Sequence, residues 1–165
     1  MSRQDDIAGI IVQERELIFP RFDEEVAFSL GMRVRARGLR DSLGLVCDVR
    51  TWERPLFYMA LPGTNGDNQH WVRRKSNLVQ RVAKSSYRVV LENKSGADHF
   101  LPRRGLDDAD YVMAGGGFPI RVANAGMIGC ITISGLHERD DHGVAVEAVC
   151  LELGLDPAAY ALPAD

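Results

Sequence analysis

The chain has 165 residues, 45% of them hydrophobic and 26% charged, and a formal net charge of −3. That size and composition fit one globular domain, residues 1–165, large enough to bury a core without staples. The acidic balance argues against broad electrostatic binding to nucleic acid, and no run of about 18 apolar residues exists that would cross a membrane.

In chain order, Ile7, Ile10, Ile11, Leu17 and Ile18 recur at helical offsets, which predicts an N-terminal helix over about Asp5–Ile18, within an extension of about residues 1–20 that Pro20 closes. Asp23 is an N-cap candidate for a second helix to about Leu39, with Val26, Ala27, Leu30 and Val34 inward. Leu45–Arg50 and Leu56–Leu61 read as two strands, and the breaker-rich Pro62–Asp67 as a loop. A third helix is expected over Asn68–Ala83, and a short fourth one capped by Ser85 or Ser86. Polar residues from Glu92 to Asp98 predict a loop, and a turn is expected at Asp107–Asp110. After the triple glycine Gly115–Gly117, Phe118–Val122 and Met127–Ile133 form a hairpin around Ala123–Gly126. Met127–Ile133 is apolar on both faces, so it belongs in the middle of a covered sheet. A last helix, about Asp140–Leu153, ends at Gly154. Cys47, Cys130 and Cys150 lack metal or redox spacing and lie among apolar neighbours. They read as reduced, packed thiols of a cytoplasmic protein. Helices before, between and after hairpin-linked strands give an α+β fold.

The segments GGGFPIRV, GMIGCITISGL and the acidic helix start after them, with DNQHWVRRKSNLV and SSYRV upstream, resemble the GlcG-like and HbpS-like "haem-degrading" domain family. The resemblance spans roughly Phe22–Leu153. It implies a profilin-like three-layer α/β/α sandwich with an antiparallel sheet of about five strands, and a homo-oligomer, dimer or higher. It also implies a ligand cleft beside the glycine hinge, with haem as a candidate cofactor.

Two residues break the apolar pattern. Lys75 falls in the same narrow helical arc as Trp71, Leu78 and Val82. A lysine there needs a carboxylate, a bound anion or a depressed pKa; the plainer alternative is a chain snorkelling at the stripe's edge or paired across a subunit interface. His142 aligns with Val146, Val149 and Leu153, so it points inward from the first turn of the last helix, whose dipole favours a neutral ring. His137 lies nearby, but the two are five positions apart, which is not the HExxH spacing, and no metal site is expected. Asp140 and Asp141 read as helix-capping acids. Arg33, Arg37 and Arg40 share a helical face and read as a solvated basic surface. Gly116 and Gly117 read as a backbone needing positive φ or close packing, with anion binding as the alternative. By resemblance, haem would take His142 or His137 as axial ligand and Lys75 or Arg121 for its propionates, so the ligand-binding candidates are Trp71, Lys75, Gly116, Gly117, Phe118, Arg121, His137 and His142. Three functions stay open: a small-molecule binding module, an accessory enzyme for a hydroxy acid or aldehyde using Lys75 and His142, and an assembly module without catalysis.

Overall fold

The computed structural model describes residues 2–93 and 104–163. The expected loop beyond Asn93 falls mostly outside them. Ser2 caps the first helix, α1 (Arg3–Glu16), through a reciprocal capping box with Asp5. After a two-residue strand β1 (Ile18–Phe19), the side chain of Asp23 accepts the amide of Val26 and starts α2 (Glu24–Arg40). Strands β2 (Val46–Thr51) and β3 (Pro55–Ala60) precede α3 (Asp67–Val82) and α4 (Ser86–Asn93). The hairpin β4 (Gly117–Val122) and β5 (Gly126–Ser134) leads to α5 (Glu138–Glu152), and a 3-10 turn at Pro157–Ala159 follows.

The sheet order is β1-β4-β5-β2-β3. As its pattern requires, β5 is central, pairing antiparallel with both β4 and β2. The register sets Cys47 opposite Ile133, Val49 opposite Ile131, and Phe118 opposite Ile131, so one apolar face is continuous across three strands. The four longer strands are antiparallel, whereas β1 joins β4 in parallel, making the sheet mixed. Ile18 was expected to end a helix. Instead the chain leaves α1 at Glu16, and Ile18 and Phe19 lie along β4.

Helices α2 and α5 pack on one face and α3 on the other, giving the three-layer α/β/α arrangement. The main core lies under α2 and α5 and contains Leu30, Val34, Leu45, Cys47, Val49, Phe118, Ile131, Ile133, Val144 and Val149. Cys47, Cys130 and Cys150 are free and buried, and burial pushes their thiols up. Arg33 and Arg37 do not form a solvated basic face: Arg33 Nε lies 2.5 Å from Glu152 Oε2, and Arg37 pairs with Glu147. Two arginines four residues apart on α2 thus meet two acids five apart on α5, a polar seam along the outer edge of that helix pair. No helix among the described residues is long and apolar enough to cross a membrane.

Candidate functional site

Two clefts flank the start of α5. The first, about 250 Å³, is lined by Asn68, Trp71 and Lys75 of α3, by Ser134, Gly135 and Leu136 at the end of β5, and by Glu138 and Asp141 of α5. Lys75 is 3% exposed, and its Nζ donates to Asp141 Oδ2 and to the Ile133 carbonyl, each at 2.9 Å. Asp141, 1% exposed, accepts the amide of Leu136 through its other oxygen at 3.0 Å. Burial lowers the Lys75 pKa and raises that of Asp141, and their mutual attraction opposes both shifts. Two of the three ammonium protons have acceptors. The third has no acceptor among these contacts.

The hinge is built around that ammonium. Gly116 has φ +124°, and a Cβ there would sit 2.3 Å from the Ile133 carbonyl oxygen and 3.0 Å from Lys75 Nζ. No L side chain fits that backbone or that gap. Gly117 donates its amide to Ser86 Oγ at 2.9 Å, deep under α4. The Gly117 amide is thus taken, and the Cα of Gly116 packs against the ion pair.

The second cleft, about 300 Å³, lies between α1, α5 and the C-terminal segment, with Gln13, Arg37, Arg139, His142, Glu147 and Tyr160 among its walls. His142 is fully buried, its ring centroid 5.4 Å from that of Tyr87 and 5.9 Å from that of Phe118. The tautomer follows from Gln13. Its Nε2 donates to the Tyr160 carbonyl at 2.6 Å, so Oε1 faces His142 and accepts from Nε2–H at 2.9 Å. Nδ1 is then a bare acceptor, buried without a hydrogen-bond partner among the described residues. Desolvation, reinforced by Arg139, lowers the His142 pKa to about 3, so the ring is neutral.

The candidate residues therefore divide. Trp71 and Lys75 line the first cleft, with Gly116 directly behind Lys75. Phe118 is core, 1% exposed. His142 faces α1, and Lys75 reaches its neighbour Asp141 instead. Arg121 extends along β1 and donates to the Ala83 carbonyl at 2.9 Å, away from both clefts. His137 is exposed at the N-cap of α5, its Nδ1 accepting the amide of Arg139 at 3.4 Å. The expected capping by Asp140 and Asp141 is thus corrected: α5 begins earlier, His137 caps it, and Asp141 turns inward. Asp141 shares a helical face with Ala145 and Ala148, both buried, which marks it as inward-facing but does not name its partner. Gln13 carried no such signal, being 129 residues from His142. Among the described residues no group of three or more His, Cys, Asp or Glu could hold a metal ion.

A family model described as haem degrading protein HbpS-like matches residues 22–150. A UPF0303 protein of Mesorhizobium japonicum is 50% identical over 165 residues, which is 100% of this chain and 99% of the relative. Among solved structures, the Ybr137w protein superposes with a TM-score of 0.83 at 23% identity, covering 92% of each chain. A PduOC:heme complex does so with 0.67 at 15% identity, covering 78% of this chain and 93% of the other. At these identities the two structures establish the fold alone.

Proposed function

We propose, from the premise that the chain belongs to the HbpS-like family, that it is a self-associating binding module for a small uncharged molecule bearing hydroxyl or carbonyl oxygens, held in the Lys75 cleft. One observation carries this reading: Lys75, whose ammonium has two acceptors for three protons, lines a cleft together with Ser134 and Asn68, the Asn68 amide donating to Ser134 Oγ over a long 3.5 Å. The charge of the ligand follows from the neighbours. Lys75 is already matched by Asp141, and Glu138 adds a second carboxylate. An anion entering there would find the Lys75 charge already matched by Asp141, whereas a neutral oxygen accepts from Lys75 without needing an unmatched charge. Trp71, with Arg74 stacked 4.7 Å from its ring centroid, supplies an apolar wall.

Haem as the ligand draws support from the family description and from the PduOC:heme complex. The described residues do not fit it. His142 spends Nε2–H on Gln13 and keeps Nδ1 under the surface, Lys75 is neutralised by Asp141, and Arg121 lies elsewhere. An enzyme reading is favoured by one observation only: burial moves Lys75 and Asp141 toward their neutral forms, as an acid–base pair would need.

Thermal-shift measurements with neutral polyols and aldehydes, set against carboxylates of the same size, test the proposal. Saturation at about 100 times Kd should stabilise the protein by about 2.7 kcal/mol. That gain should disappear in Ser134→Ala and Asn68→Leu. Response to carboxylates alone, or to none of the panel, overturns it. Haemin titration of the same protein should give no Soret shift that depends on His142, and a dependent shift would restore haem.

A further inference from the structure

Among the described residues strand β3 is the last of the sheet, so alternate N–H and C=O groups along Pro55–Ala60 face away from β2 with no described strand beyond them. Its sequence, PLFYMA, contains no charged residue. Natural edge strands are usually guarded by charge, Pro, a bulge or a cover; β3 has Pro55 and a register shift opposite Val49/Arg50 at its start, which leaves Phe57–Ala60 as the regular part of the edge. Helix α2 lies over that edge. Gly31 approaches so closely that a Cβ would stand 2.3 Å from the Phe57 ring, and Phe28 meets Phe57 edge-to-face at 5.9 Å.

The outward side of α2 is unusual in the same place. At 100° per residue, Glu24, Glu25, Phe28, Met32, Arg35 and Leu39 fall within an arc of about 100°, and all six are exposed. Phe28 is 57% exposed, Met32 38%, Leu39 49% and Tyr58 of β3 50%. Tyr58, next to the α2-facing Phe57, turns to the other face of β3 beside Asp48 and Arg50, whereas Phe28, Met32 and Leu39 are three of the six exposed large hydrophobic residues among those described and share one face of α2. A contiguous patch of that kind marks an interface.

We infer that α2 and β3 form the contact with a second copy of this chain, related by a two-fold axis at the level of residue 30 of α2. The self-association reading is its premise. What selects a second copy is the order of the exposed face: acids at the N-terminal end, apolar residues in the middle, Arg35 toward the C-terminal end. An antiparallel copy of the same helix sets acid against base and apolar against apolar. Phe28 with Met32, and Glu25 with Arg35, are both centred on residue 30, so one axis satisfies both pairings, as an isologous interface requires. Gly31 stands directly over Phe57, so the same axis passes the middle of β3 and brings two β3 edges together in antiparallel fashion.

Analytical ultracentrifugation of the full chain tests this, with circular dichroism to confirm that each variant is folded. The wild-type protein should sediment as a dimer or a multiple of it. Phe28→Glu and Glu25→Arg, both at exposed positions, should each raise the dissociation constant by about tenfold or more. Combining Glu25→Arg with Arg35→Glu should restore assembly, because the swapped charges meet again across the axis. A monomeric wild-type protein overturns self-association and the interface together. An assembled wild-type protein with unaffected Phe28→Glu and Glu25→Arg variants overturns the interface alone. Weakening by Glu25→Arg without rescue in the double variant overturns the two-fold register.

Discussion

Acidification from about pH 7.5 to about pH 5 should cost the folded state about 2 kcal/mol through His142 alone. Unfolded, the imidazole titrates near 6.5; folded, it titrates at about 3, because desolvation opposes its charge. Between those values the unfolded chain binds one more proton than the native one, so native stability falls as the pH falls. Each pH unit in that window is worth about 1.4 kcal/mol, and the full loss approaches about 4–5 kcal/mol near pH 3. Nothing is lost above about pH 7, where both states are neutral. For a domain of this size the cost at about pH 5 corresponds to a fall of about 4–8 °C in Tm. The assay is urea unfolding of the wild-type protein and of His142→Gln at the two pH values. Glutamine keeps a donor for Gln13 Oε1 and does not titrate, while Asp141, Lys75 and the surface acids titrate alike in both proteins. The difference between the two pH responses should therefore equal the His142 contribution. Equal responses would refute the argument, since they would mean that the imidazole is protonated in the native state or reaches water.

Lys75→Met or Asp141→Leu alone should each cost about 3–5 kcal/mol, because each leaves a buried charge without its partner. The double variant should cost far less than the sum, and additive losses in urea unfolding would show that the two groups do not act as a pair. Gly116→Ala should cost at least about 2 kcal/mol through positive-φ strain and the clash with the Ile133 carbonyl. Gly143→Ala on the same helix-and-hinge unit, where a Cβ meets nothing within 4 Å, should instead stabilise by about 0.5–1 kcal/mol. If both alanines behaved alike, close packing at the hinge would not be the cause.

Local periodicity carried most of the architecture. The stripe on α3, the doubly apolar β5 and the hinge before β4 each state their environment within about ten residues, so helices, strands and layers could be read directly. Lys75 could be located by the same means, and its need for a carboxylate stated. Which carboxylate could not, since Asp141 is 66 positions away and its first role on paper was to cap α5. The two-residue β1 is too short to display a period of two, and its parallel pairing with β4 depends on the turn taken after Glu16. Gln13 shows nothing distinctive in the sequence, and only the placing of α1 against α4 and α5 turns it toward His142. The arginines of α2 were misassigned for a related reason: charge on a helix says nothing of whether a neighbouring helix supplies the opposite sign.

Helix α1 and the segment after α5 both lie outside the 22–150 span that the family model matches, and they hold one another. Gln13 donates to the Tyr160 carbonyl, Tyr160 Oη donates to Glu16, and Arg139 joins Asp6 of α1 to the Pro163 carbonyl. The two segments therefore make one opening unit: amides of α1 and of residues 153–163 should exchange with solvent water at a common rate, faster than those of β5. Each excursion of that unit also admits water to His142. The imidazole buried at the centre of the fold is thus kept dry by the two parts of the chain that lie farthest from each other in sequence.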